Sequence, residues 1–154
     1  MYKRQKLEGG RKLNGVIRYL TMNKIPVMGH IGITPQTIRG KYRYKGKTNL
    51  EKKKLIKDSK SLEEAGVFAI VLECVERKLS KQITETVKIP TIGIGSSKFC
   101  DGQILVTDDM LGLTESKIKF VKKYIDLKKN IRQAVKKFKL DVKKSSYPSI
   151  KYSY

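Results

Sequence analysis

The sequence predicts an α/β fold in which about five parallel strands are covered by helices. Three observations carry that prediction. Short apolar runs recur along the chain, and they are apolar at successive positions, as strands buried on both faces are. Segments with helical apolar spacing separate these runs. Proline or glycine marks the junctions, as at Pro26, Gly66 and Pro90.

The elements follow in order. A short strand around Leu7 ends in "KLEGG" (6–10). Residues 11–23 carry Leu13, Val16, Ile17 and Leu20 at helical spacing. "IPVMGHIG" (25–32) is a buried strand, opened by Pro and closed by Gly. Residues 33–48, with Pro35, Gly40 and Gly46, form a long polar loop. A helix over 50–65 is stopped by Gly66. "VFAIVLEC" (67–74) is the strongest strand signal. A short helix spans 77–87, "IPTIGIG" (89–95) is another buried strand, and "QILV" (103–106) a weaker one. Residues 117–144 predict a long amphipathic helix with the stripe Val121, Tyr124, Ile125, Ile131, Val135, Phe138 and Val142. A polar tail, 145–154, closes what reads as a single domain over 1–154. At this stage a five-stranded flavodoxin-like layer and part of an eight-stranded barrel both fit.

In either architecture function collects at the C-terminal ends of the strands. Those ends carry Lys6 and Glu8, then His30, then Glu73, then "GIGSS". Alternation puts Lys6 and Glu8 on one face, and sets Glu73 opposite Cys74, which reads as a structural thiol. Burial at the end of an apolar run would raise the pKa of Glu73, which suits a general base. The plainer alternative is a Glu neutralised by a lysine such as Lys6. His30, alone, reads as a hydrogen-bonded core group, or one that supports a functional neighbour, more than as a catalyst. Glu8 is a hard oxygen donor, better matched to Mg²⁺ than to Zn²⁺, although one carboxylate is too few for a dedicated metal site.

Other features exclude functions. The net charge is +21, from 35 basic and 14 acidic residues. The lysines are spread over the polar faces of predicted helices rather than clustered. No nucleic-acid motif accompanies them, which favours a Lys-rich surface over a nucleic-acid partner. "GKYRYKGKT" (40–48) encloses five residues between its glycines where a phosphate-binding loop needs four. "GIGSSK" (93–98) lacks the third glycine of a dinucleotide fingerprint, though its amides could meet an anion. A single histidine rules out a multi-His zinc site. With no apolar run of about 18 residues, no secretory h-region at the start, and no metal spacing between Cys74 and Cys100, the expectation is a cytoplasmic protein with reduced thiols and no membrane span.

Taken together, "KLEGG", "IPVMGHIGITPQT", "LEEAGVFAIVLECV", "IPTIGIG" and "CDGQILV", followed by "KFVKKYIDLKKNIRQAVKKF" and a Ser-Tyr-Pro, resemble the ketopantoate hydroxymethyltransferase family. The resemblance covers about residues 6–148. It implies a TIM (β/α)₈ barrel of the phosphoenolpyruvate/isocitrate lyase type, of which this sequence would hold the fourth to eighth strands and the long C-terminal helix. It implies transfer of a hydroxymethyl group from 5,10-methylenetetrahydrofolate to 3-methyl-2-oxobutanoate in pantothenate and coenzyme A biosynthesis. Mg²⁺ would polarise the keto acid's carbonyl. Carried over, the proton acceptor falls on Glu73, the substrate-contacting Lys on Lys6, the metal-associated Glu on Glu8, and the substrate-side His on His30. Family members are longer. About three strands, with the aspartates that hold Mg²⁺ and the keto acid, have no counterpart here. Activity is therefore expected only when another polypeptide supplies those strands; the partners implied are such a complementary N-terminal chain or the family's decameric homo-oligomer, and the alternatives are an inactive fragment or a basic nucleic-acid-binding protein. Local departures are "GKY" (40–42), Glu76 for a Pro, Ser97 for a Gly, Asp108 for a His, and an unrelated lead-in at Tyr2 to Gln5.

Overall fold

Five short strands pair in the order in which they occur along the chain, and all pair in parallel. The computed structural model describes residues 4–36 and 43–154. Strands β1 (Gln5–Glu8), β2 (Val27–Gly32), β3 (Ala69–Glu73), β4 (Thr91–Ile94) and β5 (Gly102–Gln103) form one sheet in the order β1-β2-β3-β4-β5. Among the described residues β1 pairs only with β2, and β5 only with β4. Helices α1 (Asn14–Met22), α2 (Asn49–Glu64) and α3 (Arg77–Thr86) fill the crossovers, α1 being preceded by a 3₁₀ turn over Gly10–Leu13. A short α4 (Thr107–Met110), α5 (Leu127–Lys143) and a 3₁₀ turn at Ile150–Tyr152 follow. The chain divides into two compact units, Met1–Ile104 and Leu105–Tyr154.

In the first unit the strand period of two sorts the side chains. Val27, Ile31, Ile70 and Leu72 face the helices and join Ile17 of α1, Leu55 and Leu62 of α2, and Leu79 and Ile83 of α3 in one buried cluster. Each such side chain contributes about 1.5–3 kcal/mol when fully withdrawn from water, so this layer holds the unit together. Contact there is close: a Cβ at Gly29 would lie 2.9 Å from Leu62 Cδ1. The opposite parity, Lys6, Glu8, His30, Val71 and Glu73, faces away from this core.

The helix starts explain two sequence features. Thr48 caps α2 by accepting from Glu51 N (3.2 Å), and Glu51 reaches back to accept from Gly46 N (3.0 Å) and Lys47 N (2.9 Å). The Gly-Lys-Thr of the rejected phosphate loop is thus a helix entry; Gly40 and the "GKY" residues lie outside the described ones. Glu76 caps α3, its carboxylate accepting from Lys78 N (3.0 Å) and Leu79 N (2.9 Å).

In the second unit one expectation is corrected. The predicted helix over 117–144 begins only at Leu127. Upstream, the backbone bonds go elsewhere: Tyr124 N donates to Met110 O and Leu127 N to Leu111 O, both at 2.9 Å. Asp126 then caps α5 by accepting from Lys129 N. Val121, Tyr124 and Ile125 therefore do not extend the stripe of Ile131, Val135, Phe138 and Val142. The strand predicted at 103–106 is the shorter Gly102–Gln103. No helix among the described residues is long and apolar enough to cross a membrane.

Candidate active site

Register brings the charged strand ends together. Glu8 lies opposite His30 across β1 and β2, and Gly32 opposite Glu73 across β2 and β3. Lys6, Glu8, His30 and Glu73 therefore converge from three consecutive strands, as the alternation argument expects, on the face turned away from the helix-packed core.

The contacts are specific. Lys6 Nζ donates to Glu8 Oε1 at 2.9 Å and lies 3.0 Å from His30 Nδ1. Glu8 Oε1 is 3.4 Å from the same ring nitrogen, while Glu8 Oε2 accepts from the backbone amide of Gln36 at 3.3 Å. On the other side of the ring, His30 Nε2 stands 3.2 Å from Glu73 Oε2. That approach is off the hydrogen-bond line, so Nε2 is buried without a hydrogen-bond partner among the described residues. His30 is 1% exposed. Lys6 thus pairs with Glu8 rather than Glu73, against the plainer reading of Glu73 as a carboxylate neutralised by that lysine.

The electrostatics separate the two carboxylates. Burial opposes the charge of Glu8, but the Lys6 hydrogen bond, the Gln36 amide and the charges of His30 and Lys6 outweigh it and hold its pKa below the usual value. Burial pushes Glu73 up, and the negative charge of Glu8 adds to this against an opposing pull from Lys6. Two carboxylates in one cluster with pKa values driven apart is the pattern of a base beside a permanently charged group. Burial, then the Lys6 charge, lower His30, against Glu8 and the Ile33 backbone, so its ring is neutral at pH 7. Cys74 is no nucleophile: burial, then the charge of Glu73, push its thiol up to about 11.

A backbone clamp was not legible beforehand. Cys74 has φ +50°, a left-handed turn directly after Glu73. Ser96 Oγ spans that turn, donating to Leu72 O (2.6 Å) and accepting from Val75 N (3.1 Å). "GIGSS" therefore holds the end of β3 in place. A cavity of about 350 Å³ opens beside His30, lined also by Gly9, Gly10, Thr34 and Asp58; of the cluster, only His30 borders it.

Among the described residues no three His, Cys, Asp or Glu side chains converge to hold a metal. Each oxygen of Glu8 already accepts one hydrogen bond, from Lys6 and from the Gln36 amide, which leaves lone pairs that a cation could meet directly or through water.

The buried ring gives a stability prediction. A folded-state pKa below the unfolded one means that the contribution of His30 is present above about pH 6.5 and lost as pH falls below it. Denaturant midpoints of the wild-type chain are expected to fall between about pH 6.5 and 5 more steeply than those of His30→Gln. Parallel pH profiles for the two proteins would show that the ring does not resist protonation.

A family model described as ketopantoate hydroxymethyltransferase matches residues 2–150. The chain is 56% identical over 149 residues to a 3-methyl-2-oxobutanoate hydroxymethyltransferase of Pelagibacter ubique, covering 97% of this chain and 58% of that protein. It is 49% identical over 146 residues to a protein of the same name from Kosmotoga olearia, covering 93% and 55%. A Clostridium botulinum protein, again of that name, is 48% identical over 152 residues, covering 97% and 55%. The chain spans a little over half the length of these curated relatives.

Proposed function

The chain belongs to the ketopantoate hydroxymethyltransferase family, and from that premise we propose that its Lys6–Glu8–His30–Glu73 cluster performs the proton-abstraction side of hydroxymethyl transfer to 3-methyl-2-oxobutanoate. Glu73 takes the C3 proton of the keto acid. The electron pair so released forms the new carbon–carbon bond to the methylene carbon of 5,10-methylenetetrahydrofolate, whose two C–N bonds break; water supplies the hydroxyl of 2-dehydropantoate, and the folate leaves as tetrahydrofolate, its two nitrogens taking up the second proton of that water and the equivalent of the proton removed from C3. Lys6 and His30 contact the keto acid. The observation that carries this reading is Glu73 itself: a half-buried carboxylate at a strand end, 3.2 Å from an unpartnered imidazole nitrogen, with its pKa raised. A general base working near neutrality needs that raised value. Mg²⁺ would lend Lewis acidity at the keto group when bound. The described residues do not form its site alone, because among them no three His, Cys, Asp or Glu side chains are arranged to hold a metal.

The same reading extends to architecture. Five parallel strands in sequential order, with one face packed by helices and the other carrying the site, suit an arc of a (β/α)₈ barrel of the phosphoenolpyruvate/isocitrate lyase type. Polypeptide outside residues 1–154, joined or separate, would complete the barrel and bring the remaining metal and keto-acid donors. The assembled enzyme would be cytoplasmic and homo-oligomeric. The test mixes the chain with a polypeptide carrying the remaining strands, Mg²⁺ and both substrates. Formation of 2-dehydropantoate is expected; no product above the level of each component alone would overturn the reading.

A further inference from the structure

We infer that Lys6 sets the tautomer of His30, holding the imidazole in its Nε2–H form, so that His30 enters the site as a hydrogen-bond donor and not as a second base. An ammonium has three donors and no acceptor. Lys6 Nζ lies 3.0 Å from Nδ1, so Nδ1 must offer its lone pair. Glu8 pulls the other way, since a carboxylate beside Nδ1 would favour a proton there. Its Oε1 is 3.4 Å away, beyond good hydrogen-bond distance, and already accepts from Lys6 at 2.9 Å. The shorter contact decides, and the ring proton goes to Nε2.

The consequence is visible on the opposite side of the ring. Nε2 is buried and has no hydrogen-bond partner among the described residues, yet it stands 3.2 Å from Glu73 Oε2. A buried N–H is costly to leave unmatched. It is poised for an oxygen: that of Glu73 after a small rotation, or one on a substrate that gains negative charge. The roles then divide, with Glu73 accepting the proton and His30 steadying an oxygen. Only this division of roles rests on the proposed reaction; the tautomer does not.

His30 is the only histidine in the chain, so a single imidazole reports. The experiment is a long-range ¹H–¹⁵N correlation spectrum of the labelled full chain at about pH 8, where a free imidazole is neutral. Nε2 couples to both carbon-bound ring protons and Nδ1 strongly to one, which assigns the two nitrogens. In the wild type a protonated, pyrrole-type Nε2 and a bare, pyridine-type Nδ1 are expected. In Lys6→Met, Glu8 is what remains beside Nδ1 among the described residues, so the pattern is expected to invert; in Lys6→Arg, which keeps a donor, it is expected to persist. A proton on Nδ1 in the wild type, or an unchanged pattern in Lys6→Met, would overturn the inference. If Lys6→Met does not fold, the wild-type spectrum decides alone. An assembled protein that forms no product but shows the Nε2–H ring would fail the reaction and leave the tautomer standing. The opposite pair of results would do the reverse.

Discussion

Glu73→Gln is expected to slow removal of the C3 proton of 3-methyl-2-oxobutanoate by roughly 10²–10⁴-fold, the usual contribution of a positioned base. The measurement is exchange of that proton for deuterium in heavy water, followed by NMR in the assembled protein without the folate. Gln preserves the shape of Glu73 and keeps an oxygen on the side facing His30 Nε2, so folding is expected to be unaffected; what is lost is the basic oxygen. The pH dependence adds a second check. Burial and the charge of Glu8 raise Glu73, so exchange in the wild type should rise with pH along a limb centred above the ordinary carboxylate value of about 4.3. Glu8→Gln removes one of the raising charges and frees the Lys6 ammonium, so the limb should move to lower pH. Wild-type exchange in Glu73→Gln would remove Glu73 from the role of base.

Why these four residues were legible in the sequence follows from the geometry of parallel sheets. Parallel strands align their C-terminal ends along one edge, so polar groups closing successive apolar runs must meet there. Alternation then places Lys6 and Glu8 on one face without any coordinates. Two further facts needed the structure. The register that sets Glu8 opposite His30 depends on loop lengths that no local pattern encodes. The Gln36 amide on Glu8 and the Ser96 clamp across Leu72 and Val75 involve backbone groups, which every residue carries and no sequence distinguishes. The misplaced start of α5 is a different case. Apolar spacing at Val121, Tyr124 and Ile125 suggested helix, but the capping signal was present: Asp126 stands immediately before Leu127, and its carboxylate accepts from Lys129 N. Spacing reports which residues could share a face, while a cap reports where the backbone begins to turn; here the cap was the better guide.

Gly32→Ala is expected to be the most damaging single-methyl change in the first unit, with a loss above about 4 kcal/mol, the range reserved for a few named mechanisms. Two of them act at once. Gly32 has φ +102°, a conformation that side chains rarely adopt. A Cβ there would also stand 2.1 Å from the carbonyl oxygen of Glu73 and 2.8 Å from Val75 Cγ2. The nearer atom belongs to backbone and cannot swing away. It is also the acceptor for Ile33 N at 2.8 Å, so relieving the clash means parting β2 from β3 at the tip that carries Glu73. Against a typical total stability of about 5–15 kcal/mol, such a loss leaves little cooperative structure. Gly15→Ala supplies the contrast, because it lies in α1 with no atom of the described residues within 4 Å of its added Cβ. There the methyl only restricts the unfolded chain, and a gain of about 0.5–1 kcal/mol is expected. Urea unfolding followed by circular dichroism compares the two directly. If Gly32→Ala unfolds at the wild-type midpoint, β2 and β3 are not held as close as the Glu73 carbonyl requires, and the 3.2 Å approach of His30 to Glu73 loses its structural support.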